Sequence, residues 1–245
     1  MNILLCNDDG YNAEGLKLLR KKLQKYGRVI VVAPLKHMSA KSASLSFSYP
    51  YKVKKIKDDY YALDGTPCDC CDYGLRELST KIDLVVAGCN CGTNCSYDVM
   101  FSGTIGICSE AKRSSYPCIA FSCESDGDGL KVVDKYFDDV MKFIISNKLL
   151  SNEYYVNVNF PAYNVPYKGI RLSKLYERND RDVFSFNKGH GLDYYDESKN
   201  NDPETDLWQL KNGYISVVPL TKTVFSSHLY NKIKKVVEKN SKPKD

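Results

Sequence analysis

The stretch Ile3-Leu4-Leu5-Cys6-Asn7-Asp8-Asp9-Gly10 decides how this chain folds: four apolar residues in succession, then a polar turn carrying two adjacent carboxylates. A short continuous apolar run closed by turn residues is the pattern of a strand buried on both faces, the kind found in parallel sheets covered by helices. Two carboxylates leaving such a strand repel each other and lose hydration, so they need a cation or a dense set of donors. A hard divalent ion, Mg2+ or Mn2+, meets that need. Gly10 permits a sharp turn that brings a ligand close to the carboxylates. Asp-Asp-Gly is also ordinary turn chemistry, and the stretch alone leaves both readings open.

The same pattern recurs. Apolar runs at 29–33, 83–87, 118–122 and 155–159 alternate with segments of helical character. Leu16, Leu19 and Leu23 recur at helical spacing, Thr66-Pro67 is a helix start, and Tyr136, Val140, Phe143 and Ile144 mark a later helix. This alternation predicts an α/β fold, a mostly parallel sheet with helices on both faces. From Lys168 the character changes: 171–206 is rich in charge, Tyr, Asn and Gly without a helical period, 213–219 reads as another strand, and a terminal helix is expected over 225–240. The chain is therefore divided into a catalytic core, 1–167, and a segment 168–245 comprising a β-hairpin arm, a returning strand and the terminal helix. An extended arm cannot bury Tyr176, Phe184, Phe186, Tyr194, Tyr195 and Trp208 by itself, and a second subunit would cover them. A homodimer or homotetramer is expected.

Composition excludes several classes. An apolar fraction of 43% with 27% charged residues belongs to a globular protein. No apolar run is long enough to span a membrane, and acidic residues arrive too early for a secretory signal, so a cytoplasmic chain starting at Met1 is expected. Six lysines in 231–245, set against Glu238 and Asp245, supply +4 of the net +5. The rest is nearly neutral, which argues against nucleic-acid binding. The cysteine clusters Cys68-Asp69-Cys70-Cys71 and Cys89-Asn90-Cys91 with Cys95 lack the paired C-x2-C spacing of structural zinc and read as reduced, buried thiols.

Ligands bind at the carboxyl ends of the strands in such a sheet. The first strand exits into Asn7-Asp8-Asp9-Gly10, the second into a polar loop with His37, Ser39 and Ser42, and the strand beginning at Asp83 into Gly88-Cys89-Asn90-Cys91-Gly92-Thr93-Asn94. These exits offer carboxylate, hydroxyl and amide oxygens for Mg2+ or Mn2+. Ser102-Gly103-Thr104 then leads into a helix whose unpaired N–H groups would cradle a phosphate, with a plain N-cap as the alternative. Metal beside phosphate points to phosphoryl chemistry.

These residues resemble the SurE survival-protein phosphatases, metal-dependent nucleoside-monophosphate phosphatases. The resemblance rests on N-D-D-G at 7–10, V-V-A-P followed by Ser39, G-T-P-x-D-C at 65–70, D-x-V-V-x-G-x-N at 83–90, Asn94, and S-G-T at 102–104, with Asn157-Val158-Asn159 and Gly213-Tyr214-Ile215-Ser216 as later segments. It implies a Rossmann-like core with a hairpin arm and a C-terminal element exchanged between subunits. One divalent ion per subunit would be held by Asp8, Asp9, Ser39 and Asn90, with Asn94, Ser102, Gly103 and Thr104 near the phosphate. The expected activity is that of a 5′-nucleotidase, extending to 3′-monophosphates and short polyphosphate. Asp8 or Asp9 would either orient an attacking water or form an aspartyl-phosphate.

The chain departs from the family pattern at Ala40, usually Gly, at Ala87, usually Ser, and at Ser96 and Tyr97, which replace a small flexible pair at the pocket rim. Haloacid-dehalogenase-like phosphatases place their two aspartates two apart, whereas Asp8 and Asp9 are adjacent. A non-catalytic nucleotide sensor that keeps the metal shell is the alternative from another class, favoured only by the rim changes.

Overall fold

The computed structural model describes residues 1–47, 50, 52–177, 183–185, 189–191, 200–221 and 233–234. In chain order the elements are β1 (Asn2–Cys6), α1 (Glu14–Leu23), β2 (Arg28–Pro34), β3 (Val53–Lys57), β4 (Tyr60–Leu63), α2 (Pro67–Arg76), β5 (Leu84–Cys91), a 3-10 turn (Ser96–Met100), α3 (Gly103–Arg113), β6 (Cys118–Cys123), α4 (Gly129–Ser146), β7 (Tyr154–Phe160), β8 (Gly169–Leu172), β9 (Val183–Ser185), β10 (Gly189–Gly191), α5 (Asp206–Lys211) and β11 (Tyr214–Thr221). Nine strands form one sheet in the order β3-β4-β2-β1-β5-β6-β7-β11-β8. From β4 to β7 every pairing is parallel; β3 and β11 join antiparallel, and β8 lies parallel to β11.

Strand periodicity splits the core in two. Ile3 and Leu5 of β1, with Val29, Val31, Leu84 and Val86, face Leu16, Leu19 and Leu23 of α1 and Val133, Phe137, Val140 and Ile144 of α4. Leu4 and Cys6, with Ile30, Val32, Val85 and Ala87, face Cys70 and Cys71 of α2 and Ile105, Ile107, Cys108 and Ala111 of α3. Alternate side chains point to opposite faces, so a continuous apolar run serves both layers at once. α2 starts as expected at Thr66-Pro67, in a capping box closed by Asp69.

β3, β4 and α5 were not expected. β3 is a fully exposed Val-Lys-Lys-Ile-Lys edge strand, whose lysines hide its strand character while guarding the edge. β8 and β11 lie beyond the 167/168 boundary yet complete the same sheet as the core. Trp208, expected on an arm, sits half-buried in α5. β9 and β10 pair antiparallel where the hairpin was expected. The side chains of Phe184, Phe186, Tyr194 and Tyr195, and the terminal helix over 225–240 apart from helical 233–234, lie outside the described residues. Cys108 and Cys118 are joined by a disulfide; the other eight cysteines, those of both clusters among them, are free. No helix among the described residues is long and apolar enough to cross a membrane.

Candidate active site

Strand order reverses at β1: the chain passes from β1 to β2 on one side, while β5 lies on the other. The crevice beyond the carboxyl ends of β1 and β5 is therefore the switch point at which such sheets bind ligands. β1 delivers Asp8 and Asp9 to it, and β5 carries Asn90 at its penultimate position.

Asp8 is 3% exposed. The Thr104 hydroxyl donates to its Oδ1 at 2.6 Å, and its carbonyl accepts the Met38 N–H at 2.7 Å, which ties the β1 exit to α3 and to the loop after β2. Gly103, the first residue of α3, lies against the same side chain: a Cβ there would stand 2.9 Å from both Asp8 Cβ and Asp8 Oδ2. The Ser102 hydroxyl caps α3 by accepting the Ile105 N–H at 3.1 Å. The positive end of the helix thus lies beside the carboxylates.

Burial pushes the Asp8 carboxyl above its ordinary range, with the Thr104 hydrogen bond pulling the other way. Burial also raises Asp9, and the neighbouring Asp8 charge raises it further. Burial thus resists the ionisation of both carboxyls, and the charge of Asp8 adds to it at Asp9, an excess of negative charge that a cation offsets.

Asp9 Oδ1 is 3.3 Å from His37 Nδ1, and His37 Nε2 is 2.7 Å from Ser39 Oγ, so Ser39 joins the carboxylates through an imidazole. The Cys91 N–H also binds the Asp9 carboxylate. Asn90 Nδ2 donates to the Gly92 carbonyl at 2.7 Å, which fixes its amide. Asn94, expected beside the phosphate, is buried and tied to the neighbouring strands. Its N–H reaches Asn159 Oδ1 and its Nδ2 reaches Ser122 Oγ, both at 2.8 Å, while its carbonyl accepts from Asn157 and Asn159 at 2.8 and 3.1 Å. It braces the β5 exit against β6 and β7. Ser96, expected at the rim, is buried with its N–H on Asp206 Oδ2, and only Tyr97 of that pair is exposed.

Two carboxylates, a hydroxyl and an amide fit a hard divalent cation as an all-oxygen set. Among the described residues no three His, Cys, Asp or Glu side chains gather as a metal-holding group, so the set depends on its neutral oxygens. Sequence reasoning named His37 only as part of a strand-exit loop, without a role, and did not single out Asp206. The signal for His37 was its place two residues before Ser39 in a strand-exit loop; for Asp206 there was none.

The family model described as "Survival protein SurE" matches residues 3–182. The chain belongs to the SurE family. It is 35% identical to "5'-nucleotidase SurE" of Histophilus somni (strain 2336), over 98% of this chain and 100% of that protein. It is 36% identical to "5'/3'-nucleotidase SurE" of Wigglesworthia glossinidia brevipalpis, over 95% of this chain and 96% of that one. The crystal structure of SurE protein from Aquifex aeolicus superposes with a TM-score of 0.81 at 32% identity, covering 96% of this chain and 99% of its own. The SurE match spans every expected site residue and stops short of Asp206. Ala40 takes φ +58°, a left-handed conformation that glycine adopts freely and that costs a non-glycine residue about 1–2 kcal/mol, a physical account for the glycine expected there from the resemblance.

Proposed function

We propose that this SurE protein is a phosphomonoesterase that removes phosphate from nucleoside monophosphates and depends on one Mg2+ or Mn2+ per subunit. The observation that carries the reading is the contact between the carboxylate pair and the start of α3, with Gly103 against Asp8 and Thr104 Oγ1 donating to Asp8 at 2.6 Å. The names of the Histophilus and Wigglesworthia relatives support the substrate class.

Asp8, Asp9, Ser39 and Asn90 would hold the cation. When bound it supplies positive charge against the phosphoryl oxygens as negative charge develops there. The phosphate seats on the start of α3, where the first N–H groups have no intrahelical partner. Ser102 Oγ already accepts from Ile105 and keeps its own hydrogen to donate to a phosphate oxygen. Thr104 commits both its hydroxyl hydrogen and its N–H to the Asp8 carboxylate, and so ties the seat to the carboxylate pair. Asn94 serves this seat by bracing the loop that leads to it. Asp8 or Asp9 then orients the attacking water or attacks phosphorus itself, and trapping a phosphorylated aspartate during turnover selects the second route.

The test is phosphate release by metal-stripped protein from nucleoside 5′- and 3′-monophosphates, short polyphosphate and p-nitrophenyl phosphate, with Mg2+, Mn2+ or excess EDTA. Release from the nucleotides that appears with metal and vanishes with EDTA is expected. Nucleotide binding without turnover under every metal condition would refute the enzyme.

A further inference from the structure

Between the loop braced by Asn94 and the phosphate seat runs a short apolar edge that phosphoryl chemistry does not use. Residues three apart stand one above the other in a 3-10 turn. Over Ser96–Met100 this puts Tyr97 and Met100 on one face, while Val99 packs inward against the core shared by α2 and α3. Tyr97 is 42% exposed, Met100 63% and the following Phe101 58%.

The backbone beneath these side chains is pinned at both ends. Ser96 donates its N–H to Asp206 Oδ2 at 2.8 Å and its hydroxyl to the Tyr176 carbonyl at 2.6 Å. Asp206 is fully buried, and its Oδ1 accepts the N–H groups of Tyr176 and Leu207, each at 2.9 Å. At the other end Ser42 donates its N–H to the Phe101 carbonyl at 3.0 Å and its hydroxyl to the Met100 carbonyl at 2.7 Å. An apolar edge fixed in this way is organised before any ligand arrives, which removes part of the ordering cost of binding.

Its position is set by the chain. Phe101 immediately precedes Ser102, and its Cα lies within about 7.6 Å of that of Gly103, two residues on. Gly103 in turn touches Asp8. The edge therefore begins two residues along the chain from the phosphate seat, a spacing comparable to the length of a sugar.

We propose that Tyr97, Met100 and Phe101 form a platform for the nucleobase of the substrate, an inference that rests on the nucleoside-monophosphate reading above. The base stacks on an aromatic ring, and the flexible, polarisable Met100 side chain adapts to its edge. Stacking is tolerant of base identity because every base has a π-face. The platform accordingly separates esters that carry a base from those that do not, and it distinguishes one base from another only weakly. A stack formed equally in the ground and transition states is read in KM rather than kcat.

The experiment compares adenosine 5′-monophosphate with ribose 5-phosphate, which differ only by the base, as substrates of the wild type, Phe101→Ala and Tyr97→Ala, with light scattering on each. The expected wild-type kcat/KM is higher for the nucleotide. Phe101→Ala should shrink that preference by between about 5-fold and about 150-fold, with the loss in nucleotide KM. Tyr97→Ala provides the same readout should Phe101→Ala not fold. An unchanged preference in the folded variants would overturn the platform, and a changed oligomeric state with unchanged preference would assign the edge to a second copy of the chain instead. A wild type that cleaves neither ester would overturn the underlying reading, and the platform with it.

Discussion

Gly103→Ala places one methyl group at the closest contact between the carboxylates and α3. The new Cβ would stand 2.9 Å from Asp8 Cβ, 2.9 Å from Asp8 Oδ2 and 3.1 Å from Pro67 Cγ. Non-bonded carbons prefer about 3.5–4.0 Å, so the overlap with Asp8 is about 0.6–1.1 Å and must be relieved by moving the carboxylate or the helix start. Alanine is a better helix former than glycine, so helix formation itself is not threatened. Overpacking of this kind costs about 1–3 kcal/mol, a fall in Tm of several degrees for a chain of this size. A displacement of about 1 Å at a reacting group costs about 100-fold in rate. Thermal unfolding, Mn2+ calorimetry and kcat/KM with adenosine 5′-monophosphate should therefore all change, the last by about two orders of magnitude. A Gly103→Ala protein with wild-type Tm, Mn2+ affinity and kcat/KM would refute the proposed contact between helix start and carboxylate.

Two further expectations concern protons and assembly. Burial raises Asp8 and Asp9 in the metal-free fold. The metal-free folded state therefore binds protons more tightly than the unfolded chain, and stability falls as pH rises from the ordinary carboxylate value of about 3.9 through the raised values. The Tm gain from saturating Mn2+ should accordingly be small at the acid end of that window and grow across it; a gain independent of pH would contradict this electrostatic origin. Light scattering at micromolar concentration should return a homodimer or homotetramer, and a stable, active monomer would remove the exchanged-arm expectation.

What the sequence revealed follows from where its side chains go. β1, β2, β5, β6 and β7 were legible because burial on both faces forces continuous apolar runs, and their exits located Asp8, Asp9 and Asn90 at one crevice. β3 was not, because all five of its residues are exposed and only pairing with β4 makes it a strand. The part played by His37 depends on a loop conformation that sets its ring between Asp9 and Ser39, which residue types do not specify. Ser96 looked like a rim residue because its partner, Asp206, lies 110 positions away in sequence. The tie of Asn94 to the neighbouring strands likewise needs Asn157 and Asn159 on β7, recognisable as a motif but not as its partners.

Asp8→Asn tests the central claim most directly. The amide keeps an oxygen to accept the Thr104 hydroxyl, which bonds Asp8 at 2.6 Å in the wild type, so the fold should persist while one of the two charges is lost. With Mn2+ saturating the wild type, phosphate release from adenosine 5′-monophosphate should fall by about three orders of magnitude, the several kcal/mol that a bound metal contributes to transition-state stabilisation. Mn2+ affinity should fall with it. A folded Asp8→Asn protein that releases phosphate within about tenfold of the wild-type rate, a barrier change of only about 1.4 kcal/mol, would contradict a reaction centred on this carboxylate pair.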